Sequence, residues 1–424
     1  MSTSEDQISP PTTHGQATKP ASATARYARK KQAIVAAASA ILNRDGVKGM
    51  TLSSVAARVG LITTSVTYYF KKKEDLAVAC FLEGIGRLDE IIAQALQEPD
   101  ARLRLRRLLE LWLELNRRIA TGEAPPIAMF NDIRTLQKPQ RAIVLDAYMR
   151  FFARVRSLFG DSEFPWLDEP TRTARAHAIM EQIFWTAAWL PRYDLEDYGR
   201  IRDRMFDLFA NGLMVAGQQW QPTVLPLQDI LWPGGQQPTP RETFLIAATR
   251  LINERGYRGA SVEKISARLN VTKGSFYHHN DAKDDLVVEC FKRSFEAMRR
   301  IQRAVTQRPD DHWSKLATAA ATLVAYQLCD RGPLLRTSAF SAVPPAIRYE
   351  MVESSNRVAD RFASIISDGI ATGSVRAVDP FIAAQMLTIT LNASAEIRWW
   401  IPDVARERAT ELYARPMLMG IFSR

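Results

Sequence analysis

The strongest constraint on the fold of this chain is an internal repeat with an offset of 210 residues. Residues 31–81 align with residues 241–291 without a gap, and 14 of the 51 aligned positions are identical. The apolar positions agree as well, as in the pair Val55 and Ile265, so both copies are expected to bury corresponding faces. A repeat of domain length indicates duplication of a whole folding unit, not a solenoid of short repeats.

The duplication extends over nearly the whole chain. Trp189 aligns with Trp399 at the same offset, although the register of the alignment drifts by a few residues in the middle of the regulatory halves. Between the copies, residues 217–240 contain five prolines, three glycines and no regular period, which is typical of a linker. With 424 residues the chain also exceeds the size at which one core stops growing.

The charge of the chain is unevenly distributed. Lys and Arg number 56 against 46 Asp and Glu, and the net charge of +10 favours a polyanionic partner, either nucleic acid or a membrane surface. Residues 26–76 hold ten basic and three acidic side chains, a balance of +7, whereas residues 240–286 hold eight and six, a balance of +2. The first copy is therefore expected to attract a polyanion more strongly.

The composition predicts a cytoplasmic protein. Three cysteines in no metal-binding or disulfide spacing fit a reducing compartment. Two of them, Cys80 and Cys290, occupy matched positions on an apolar face and are expected to be buried. The first 25 residues lack the apolar run of a signal peptide and are typical of a disordered tail, and the longest apolar stretch, 316–328, is too short to span a bilayer.

Each copy begins with the pattern of a helix-turn-helix. The first helix, about 28–44 or 240–254, ends at a glycine suited to a left-handed cap, Gly46 or Gly256. A second helix follows, with Thr51 or Ser261 as its expected N-cap. A tight turn at residues 60–61 or 270–271 then leads into a short helix with one apolar anchor and otherwise polar, aromatic or donor side chains, a surface that fits a major groove.

The stretches GLITTSVTYYFKKKEDL (60–76) and NVTKGSFYHHNDAKDDL (270–286) resemble the helix-turn-helix signature of the TetR family of regulators. The resemblance implies an all-α fold of two tandem units. Each unit would have a three-helix DNA-binding domain and a larger helical domain that binds a small ligand and mediates dimerisation, with repression relieved by the ligand. Ile62 departs from the family pattern, which commonly has Ser or Thr as the cap of the recognition helix.

The repeat and the resemblance together predict six segments. They are a disordered tail (1–25), a first DNA-binding domain (26–80), a first regulatory domain (81–216), a linker (217–239), a second DNA-binding domain (240–290) and a second regulatory domain (291–424).

The resemblance also implies which residues contact DNA. In the first copy, groove and phosphate contacts fall on Thr51, Thr63, Thr64, Ser65, Thr67, Tyr68, Tyr69 and Lys73. In the second copy they fall on Ser261, Thr272, Lys273, Ser275, Tyr277, His278, His279 and Lys283. The adjacent pair His278 and His279 does not predict a metal site, because neighbouring residues on a helix point in different directions.

Large apolar side chains in the regulatory halves belong mostly to the core, and a subset is expected to line a pocket for a hydrophobic or aromatic effector. The candidates are Phe130, Phe184, Trp185, Trp189, Tyr326, Phe340 and Trp399. No metal or cofactor is predicted.

The dimerisation helices of the family map to about 169–190 with 196–215, and to 379–400 with 403–420. We therefore expect an intrachain pseudo-dimer whose two unlike recognition helices lie about 34 to 36 Å apart, or alternatively a homodimer of chains with four heads.

The expected function is a repressor released by a small effector and bound to an operator with unlike half-sites. The alternative is a regulator that acts through protein interactions because one head, more plausibly the second, has lost DNA binding. The chain contains no nucleophile elbow, Walker loop, dinucleotide fingerprint or His-Glu metal motif, so an enzyme is not expected.

Overall fold

A computed structural model describes residues 20–235, 237–269, 283–343 and 345–424. All regular secondary structure within these ranges is helical. None of the helices in this part of the chain combines the length and hydropathy needed to cross a membrane.

Eight α-helices lie in the described part of the first half, residues 20–216. In order they are α1 (Pro20–Gly49), α2 (Leu52–Arg58), α3 (Thr63–Tyr69), α4 (Lys73–Ala95), α5 (Ala101–Ala120), α6 (Lys138–Arg156), α7 (Glu169–Trp189) and α8 (Tyr198–Asn211). A 3-10 turn, Phe130–Thr135, lies between α5 and α6.

Helix α1 begins earlier than the sequence pattern predicted. Residues 20–25, which we assigned to the tail, form its first turns. Proline is favoured in the first turn of a helix, and the alanines that follow are strong helix formers. The helix is interrupted at Gly46, whose φ of 65° is the left-handed conformation expected there.

The described residues of the second half repeat this order, apart from the equivalent of α3, which lies outside them. After the short α9 (Leu227–Leu231) come α10 (Pro240–Arg255), α11 (Val262–Leu269), α12 (Lys283–Thr306), α13 (His312–Gln327), α14 (Pro345–Ala371), α15 (Pro380–Ala393), α16 (Ile397–Trp400) and α17 (Arg406–Met419). A 3-10 turn, Thr337–Ala342, corresponds to the turn between α5 and α6. Gly256, with φ of 71°, ends α10 as Gly46 interrupts α1.

The segment between the two copies packs against the second half of the chain. The backbone N–H groups of Thr223 and Leu225 donate hydrogen bonds to the hydroxyls of Thr318 and Thr322 on α13, at 3.4 and 3.1 Å. The indole of Trp220 donates to Glu411 at 2.6 Å. The segment therefore follows a defined path over α13 and α17, where the sequence predicted only an irregular linker.

Four helices join the two halves of the chain. Helices α7 and α8 of the first half each pack against α15 and α17 of the second, and these are the segments to which the sequence assigned dimerisation. Gln182 on α7 is fully buried and donates hydrogen bonds to the Met386 carbonyl and the Thr390 hydroxyl, at 2.6 and 3.0 Å. Arg175 is also buried and donates to the carbonyls of Ile421 and Ser423, both at 2.6 Å.

The ends of α8 and α17 approach each other so closely that only glycine fits. A Cβ atom on Gly212 would lie 2.3 Å from the Leu418 carbonyl oxygen, and one on Gly420 would lie 2.7 Å from the Ala210 carbonyl oxygen. Both glycines have positive φ, 63° and 95°, which strains other residues. The two chain segments thus meet backbone to backbone.

The matched cysteines are buried, as the repeat predicted. Cys80 and Cys290 are both inaccessible to solvent, and each thiol lies against a helix backbone carbonyl, Val35 and Leu245 respectively. Burial raises the pKa of Cys80 to about 12 and that of Cys290 to about 11. Both thiols are therefore protonated and unreactive at neutral pH.

Candidate DNA interface and ligand cavities

Local sequence chemistry sets the geometry of the first helix-turn-helix. Thr51 caps α2 as predicted: its hydroxyl accepts from the Ser54 N–H at 3.0 Å, and the Ser54 hydroxyl accepts from the Thr51 N–H at 3.2 Å. The turn to α3 passes through Gly60, with φ of 66°. Ile62 precedes α3 and provides no side-chain cap, which is the consequence expected from an apolar residue at that position.

Helix α3 has one buried anchor and an open polar surface. Val66 is fully buried in the core of the first head. The predicted contact residues Thr63, Thr64 and Tyr68 are exposed, whereas Ser65, Thr67 and Tyr69 are half-buried. This arrangement leaves hydroxyl groups and aromatic rings of α3 accessible, on a helix that fits into the major groove of DNA.

Tyr27, which the sequence analysis missed, extends the aromatic part of this surface. Its ring lies 4.7 Å from that of Tyr69 and 6.1 Å from that of Tyr68, measured between centroids. Tyr68 and Tyr69 are themselves in edge contact at 5.2 Å. The early start of α1 places Tyr27 inside a helix next to α3, a tertiary contact that no local pattern indicates.

The three lysines around the start of α4, residues 71–73, divide into two kinds. Lys73, the predicted phosphate contact, is half-buried, and its ammonium donates to the Lys48 carbonyl at 3.0 Å. It therefore ties α4 to the end of α1 whether or not it also meets a phosphate. Lys71 and Lys72 are exposed and are the freer cations.

The two heads differ in the ion pairing of Arg58 and Arg268, which are identical residues at matched positions of the repeat. Arg268 forms an ion pair with Glu254 at 2.8 Å. In the first head the position of Glu254 is occupied by Arg44, which pairs with Asp45 instead. Arg58 is exposed and has no ion-pair partner within the described residues, so the first head retains a cation that the second neutralises.

Most of the predicted contacts of the second head cannot be placed. Thr272, Lys273, Ser275, Tyr277, His278 and His279 lie outside the described residues, and for Lys283 only the backbone is described. Ser261 lies before α11 and its hydroxyl accepts from the Lys264 N–H at 3.3 Å, the same relationship as that of Thr51 with Ser54.

An asparagine joins each head to its own regulatory domain. Asn43 on α1 donates to the Ile127 carbonyl and accepts from the Met129 N–H, both at 2.7 Å. Its repeat partner Asn253 makes the same pair of hydrogen bonds, with the Leu334 carbonyl at 2.9 Å and the Arg336 N–H at 3.0 Å. The identity of these two asparagines in the repeat therefore reflects a shared structural role.

A cavity of about 470 Å³ lies between the first regulatory domain and α14 of the second. Three of the predicted ligand residues line it, Trp185, Trp189 and Phe340. Other apolar walls come from Trp112, which the sequence analysis did not select, and from the segment held by Asn43. We call this the aromatic cavity; its size and lining suit a small apolar ligand.

The other predicted ligand residues lie elsewhere. Phe130 and Phe184 pack edge to face at 5.2 Å in the core of the first half. Tyr326 is buried and faces a smaller cavity of about 300 Å³ beneath α9. Trp399 is half-exposed and lines a cleft of about 600 Å³ at the second half. The candidates therefore do not converge on one pocket.

A buried polar cluster lies where the two halves meet. His177 on α7 is almost fully buried, and its Nε2 lies 3.7 Å from the Glu181 carboxylate and 3.6 Å from the Glu396 carboxylate of the second half. Its Nδ1 shares a hydrogen bond with the Tyr413 hydroxyl. The cluster thus connects α7 with α17 and with the turn after α15.

Two arginines approach Glu396 from opposite halves of the chain. Arg336 lies 2.6 Å from its carboxylate, and Arg134 binds the same oxygen. Burial by itself raises the pKa of a carboxyl group, but the charge of Arg336 outweighs it and holds the pKa of Glu396 well below its usual range. His177, Glu181 and Glu396 have ligand atoms close enough to share a metal ion, but two guanidinium groups at the same carboxylate favour an ion-pair network instead.

Comparison with known proteins identifies the two heads. The model of the family described as bacterial regulatory proteins, tetR family, matches residues 34–80 and 244–290. The Tn10 TetC protein of Escherichia coli is 26% identical over 150 residues, which cover 34% of this chain and 73% of that protein. The transcriptional repressor KstR2 of Rhodococcus jostii is 24% identical over 190 residues, which cover 43% of this chain and 91% of that protein.

Solved structures match about two fifths of the chain. AibR in complex with isovaleryl coenzyme A and operator DNA is 18% identical, with a TM-score of 0.36 over 42% of this chain and 97% of that one. PfmR from Thermus thermophilus is 22% identical, with a TM-score of 0.36 over 43% and 99%. The two heads therefore match the TetR family of bacterial regulatory proteins, and the chain carries two TetR-family units in tandem.

Proposed function

We propose that this protein is a repressor that binds an asymmetric operator as a pseudo-dimer formed within one chain and is released by an apolar effector in the aromatic cavity. The observation that carries the pseudo-dimer is the packing of α7 and α8 against α15 and α17, the segments that correspond to a dimer interface. One chain then provides both recognition helices. Because these helices differ in sequence, they favour unlike half-sites.

The first head is proposed as the anchor on DNA. Its surface combines the exposed face of α3 with exposed cations at Lys71, Lys72 and Arg58. The equivalent of Arg58 in the second head is neutralised by Glu254. Affinity for the DNA backbone increases with the number of phosphates that a protein neutralises, so the charge balance of +7 against +2 in the sequence supports stronger binding by the first head.

Release by an effector follows from the position of Asn43. This residue and the two residues to which it hydrogen-bonds, Ile127 and Met129, line the aromatic cavity. A ligand that displaces these two residues changes the support of α1 and therefore the angle of the first head. Such a ligand lowers DNA affinity by as much as it prefers the displaced state.

Selection of bound sequences from a random DNA pool, using the full chain, tests this function. We expect enrichment of two unlike half-sites about one helical turn apart. A strict palindrome as the best site would contradict the asymmetric operator. Enrichment of a single half-site would favour the alternative in which the second head has lost DNA binding, and no enrichment at moderate salt would favour a regulator that acts through protein contacts alone.

A further inference from the structure

The cleft of about 600 Å³ is lined by residues of both halves, and its position relative to the second head corresponds to that of the aromatic cavity relative to the first. Asn253 lines it as Asn43 lines the aromatic cavity, and Trp399 lines it as Trp189 does. Arg141 on α6 corresponds to Arg348 on α14. The duplication has therefore produced two cavities, one on each side of the interface between the halves.

The register between α6 and α14 supports this correspondence. Their offset is 207 residues, and it pairs buried positions with buried positions, Val144 with Met351 and Val155 with Phe362. With the same offset, Leu145 of the cleft corresponds to Val352 of the aromatic cavity. The two sites thus have equivalent backbones and differ in side chains.

The cleft carries more cationic side chains than the aromatic cavity, whose lining contains one arginine, Arg348. Five arginines line the cleft: Arg134, Arg141, Arg250, Arg336 and Arg398. Its two acidic residues are Glu254 and Glu396. Glu254 is paired with Arg268, which lies outside the cleft. Glu396 is therefore the acidic residue of the lining that faces these guanidinium groups, and Glu181, outside the lining, lies 3.7 Å from Arg336.

Arg134 and Arg336 form ion pairs with Glu396, but the other three arginines have no ion-pair partner within the described residues. Arg250 and Arg398 donate to backbone carbonyls, Arg250 to Gly332 at 3.1 Å and Arg398 to Leu328 at 3.3 Å, and a carbonyl dipole leaves the charge in place. Arg141 is half-buried and its guanidinium has no partner within the described residues. Guanidinium groups bind carboxylate and phosphate in bidentate geometry, so the cleft offers several donors to an anion.

The cleft also has an apolar wall. Trp399 is 51% exposed and stands at right angles to Trp400, with 4.5 Å between the ring centroids. Ile133 and Leu145 contribute aliphatic surface on the other side. A bound anion can therefore carry a planar or aliphatic body that packs against these side chains.

We propose that this arginine cleft, defined by the five arginines and Trp399, binds a small organic anion with a carboxylate or phosphate group and an apolar body. The protein then has two effector sites of different chemistry, an apolar one linked to the first head and an anionic one linked to the second. The link to the second head is through α10, because Arg250, Asn253 and Glu254 lie on that helix. This regulatory meaning rests on the proposed function, whereas the binding itself does not.

Direct titration of the full chain without DNA tests the proposal. The probes are 2-naphthoate, 2-naphthyl phosphate and the neutral 2-naphthalenemethanol, which share one apolar body. We expect Arg141→Gln to weaken binding of an anionic probe about tenfold, the loss expected for a charge-assisted contact, and to change binding of the neutral probe less than twofold. The stronger of the two anionic probes identifies carboxylate or phosphate as the preferred group.

Arg200→Gln is the matched control, because Arg200 is exposed on α8, lies outside the cleft and has no partner among the described residues. Its anion affinity should equal that of the wild type, and circular dichroism should show all variants folded. An unchanged anion affinity in Arg141→Gln, an equal loss for neutral and anionic probes, or an equal loss in Arg200→Gln would overturn the proposal. DNA binding without anion binding would refute only this site, and anion binding without DNA binding only the proposed function.

Discussion

The backbone N–H of Leu213 donates a hydrogen bond to the carbonyl oxygen of Leu418 at 2.7 Å, and this bond joins the end of α8 to the end of α17. A second bond runs from the Ile421 N–H to the Phe209 carbonyl at 2.6 Å. The two halves of the chain therefore meet through main-chain contacts as well as through side chains, and the spacing between them depends on the absence of a Cβ atom at two glycines.

Gly212→Ala should weaken the docking of the two halves. The added Cβ would lie 2.3 Å from the Leu418 carbonyl oxygen, so the two helix ends must separate. Gly217→Ala is the control, because Gly217 also has a positive φ, 90°, but has no atom within 4 Å of the added Cβ. We expect Gly212→Ala to lose at least about 2 kcal/mol more in the free energy of unfolding by urea than Gly217→Ala. Equal losses would mean that backbone strain alone matters.

Arg58→Gln should reduce DNA affinity more than Arg268→Gln. Arg58 is unpaired, whereas Glu254 already neutralises Arg268. Loss of a free cation near DNA should lower the slope of log affinity against log salt by about one, and loss of a paired cation by less. Fluorescence anisotropy over a salt series on a selected operator measures both slopes, and equal slopes for the two variants would argue against the first head as the anchor.

Asn43→Ala should loosen the connection between the first head and its regulatory domain. The variant loses the hydrogen bonds to the Ile127 carbonyl and the Met129 N–H. We expect faster amide hydrogen exchange at residues 127–129, with no change at residues 334–336. Asn253→Ala should show the reverse pattern. If both variants accelerate exchange at both segments, the two heads are not supported independently.

His177 should make the stability of the protein depend on pH. Burial disfavours the charged imidazole, but the carboxylates of Glu181 and Glu396 outweigh burial and raise the pKa of His177. Because the raised pKa belongs to the folded state, the protonated ring stabilises the fold fully below the unfolded-state pKa of about 6.5. This contribution disappears as the pH rises through the folded-state value.

Urea unfolding of the wild type and His177→Gln at pH 5.5 to 8.5 measures this effect. Arg134 and Arg336 also face the cluster. Burial disfavours the charged form of Arg336, but the carboxylates of Glu396 and Glu181 outweigh burial and raise its pKa. Burial raises the pKa values of the nearby Tyr148 and Tyr413 further above this pH range. We expect the wild type to exceed the variant by about 1 kcal/mol more at pH 5.5 than at pH 8.5. A difference that does not change with pH would show that His177 remains neutral in the folded protein.

The heads were the part of the fold that the sequence predicted best. The left-handed glycines Gly46 and Gly256, the cap at Thr51 and the buried anchor Val66 are all as expected. These features depend on the local conformational preferences of single residues and on helical periodicity. The predicted start of α1 was wrong. The alanines after Pro20 favour a helix, whereas the Ser- and Thr-rich composition of the N-terminal segment had indicated a disordered tail.

The cavities were beyond the reach of sequence reasoning for a physical reason. Trp185 and Phe340 face the same cavity although they lie 155 positions apart in the sequence. Trp399 belongs to a different site from Trp189 although both hold the same repeat position. Which side chains converge depends on how the two halves dock, and hydrophobic patterns along one helix do not specify that. Tyr27 escaped notice for the same reason.

Thr186 and Glu396 hold the same position in the two copies, at the repeat offset of 210 residues. In a homodimer a mutation in the gene alters both sides of the interface at once, so a buried carboxylate at this position would come with a duplicate that needs its own partners. Here the carboxylate occurs once, and arginines from both halves converge on it. When the two copies lie in one gene, the residues at matched positions of the interface can differ. Natural selection can therefore change the two sides of the interface separately.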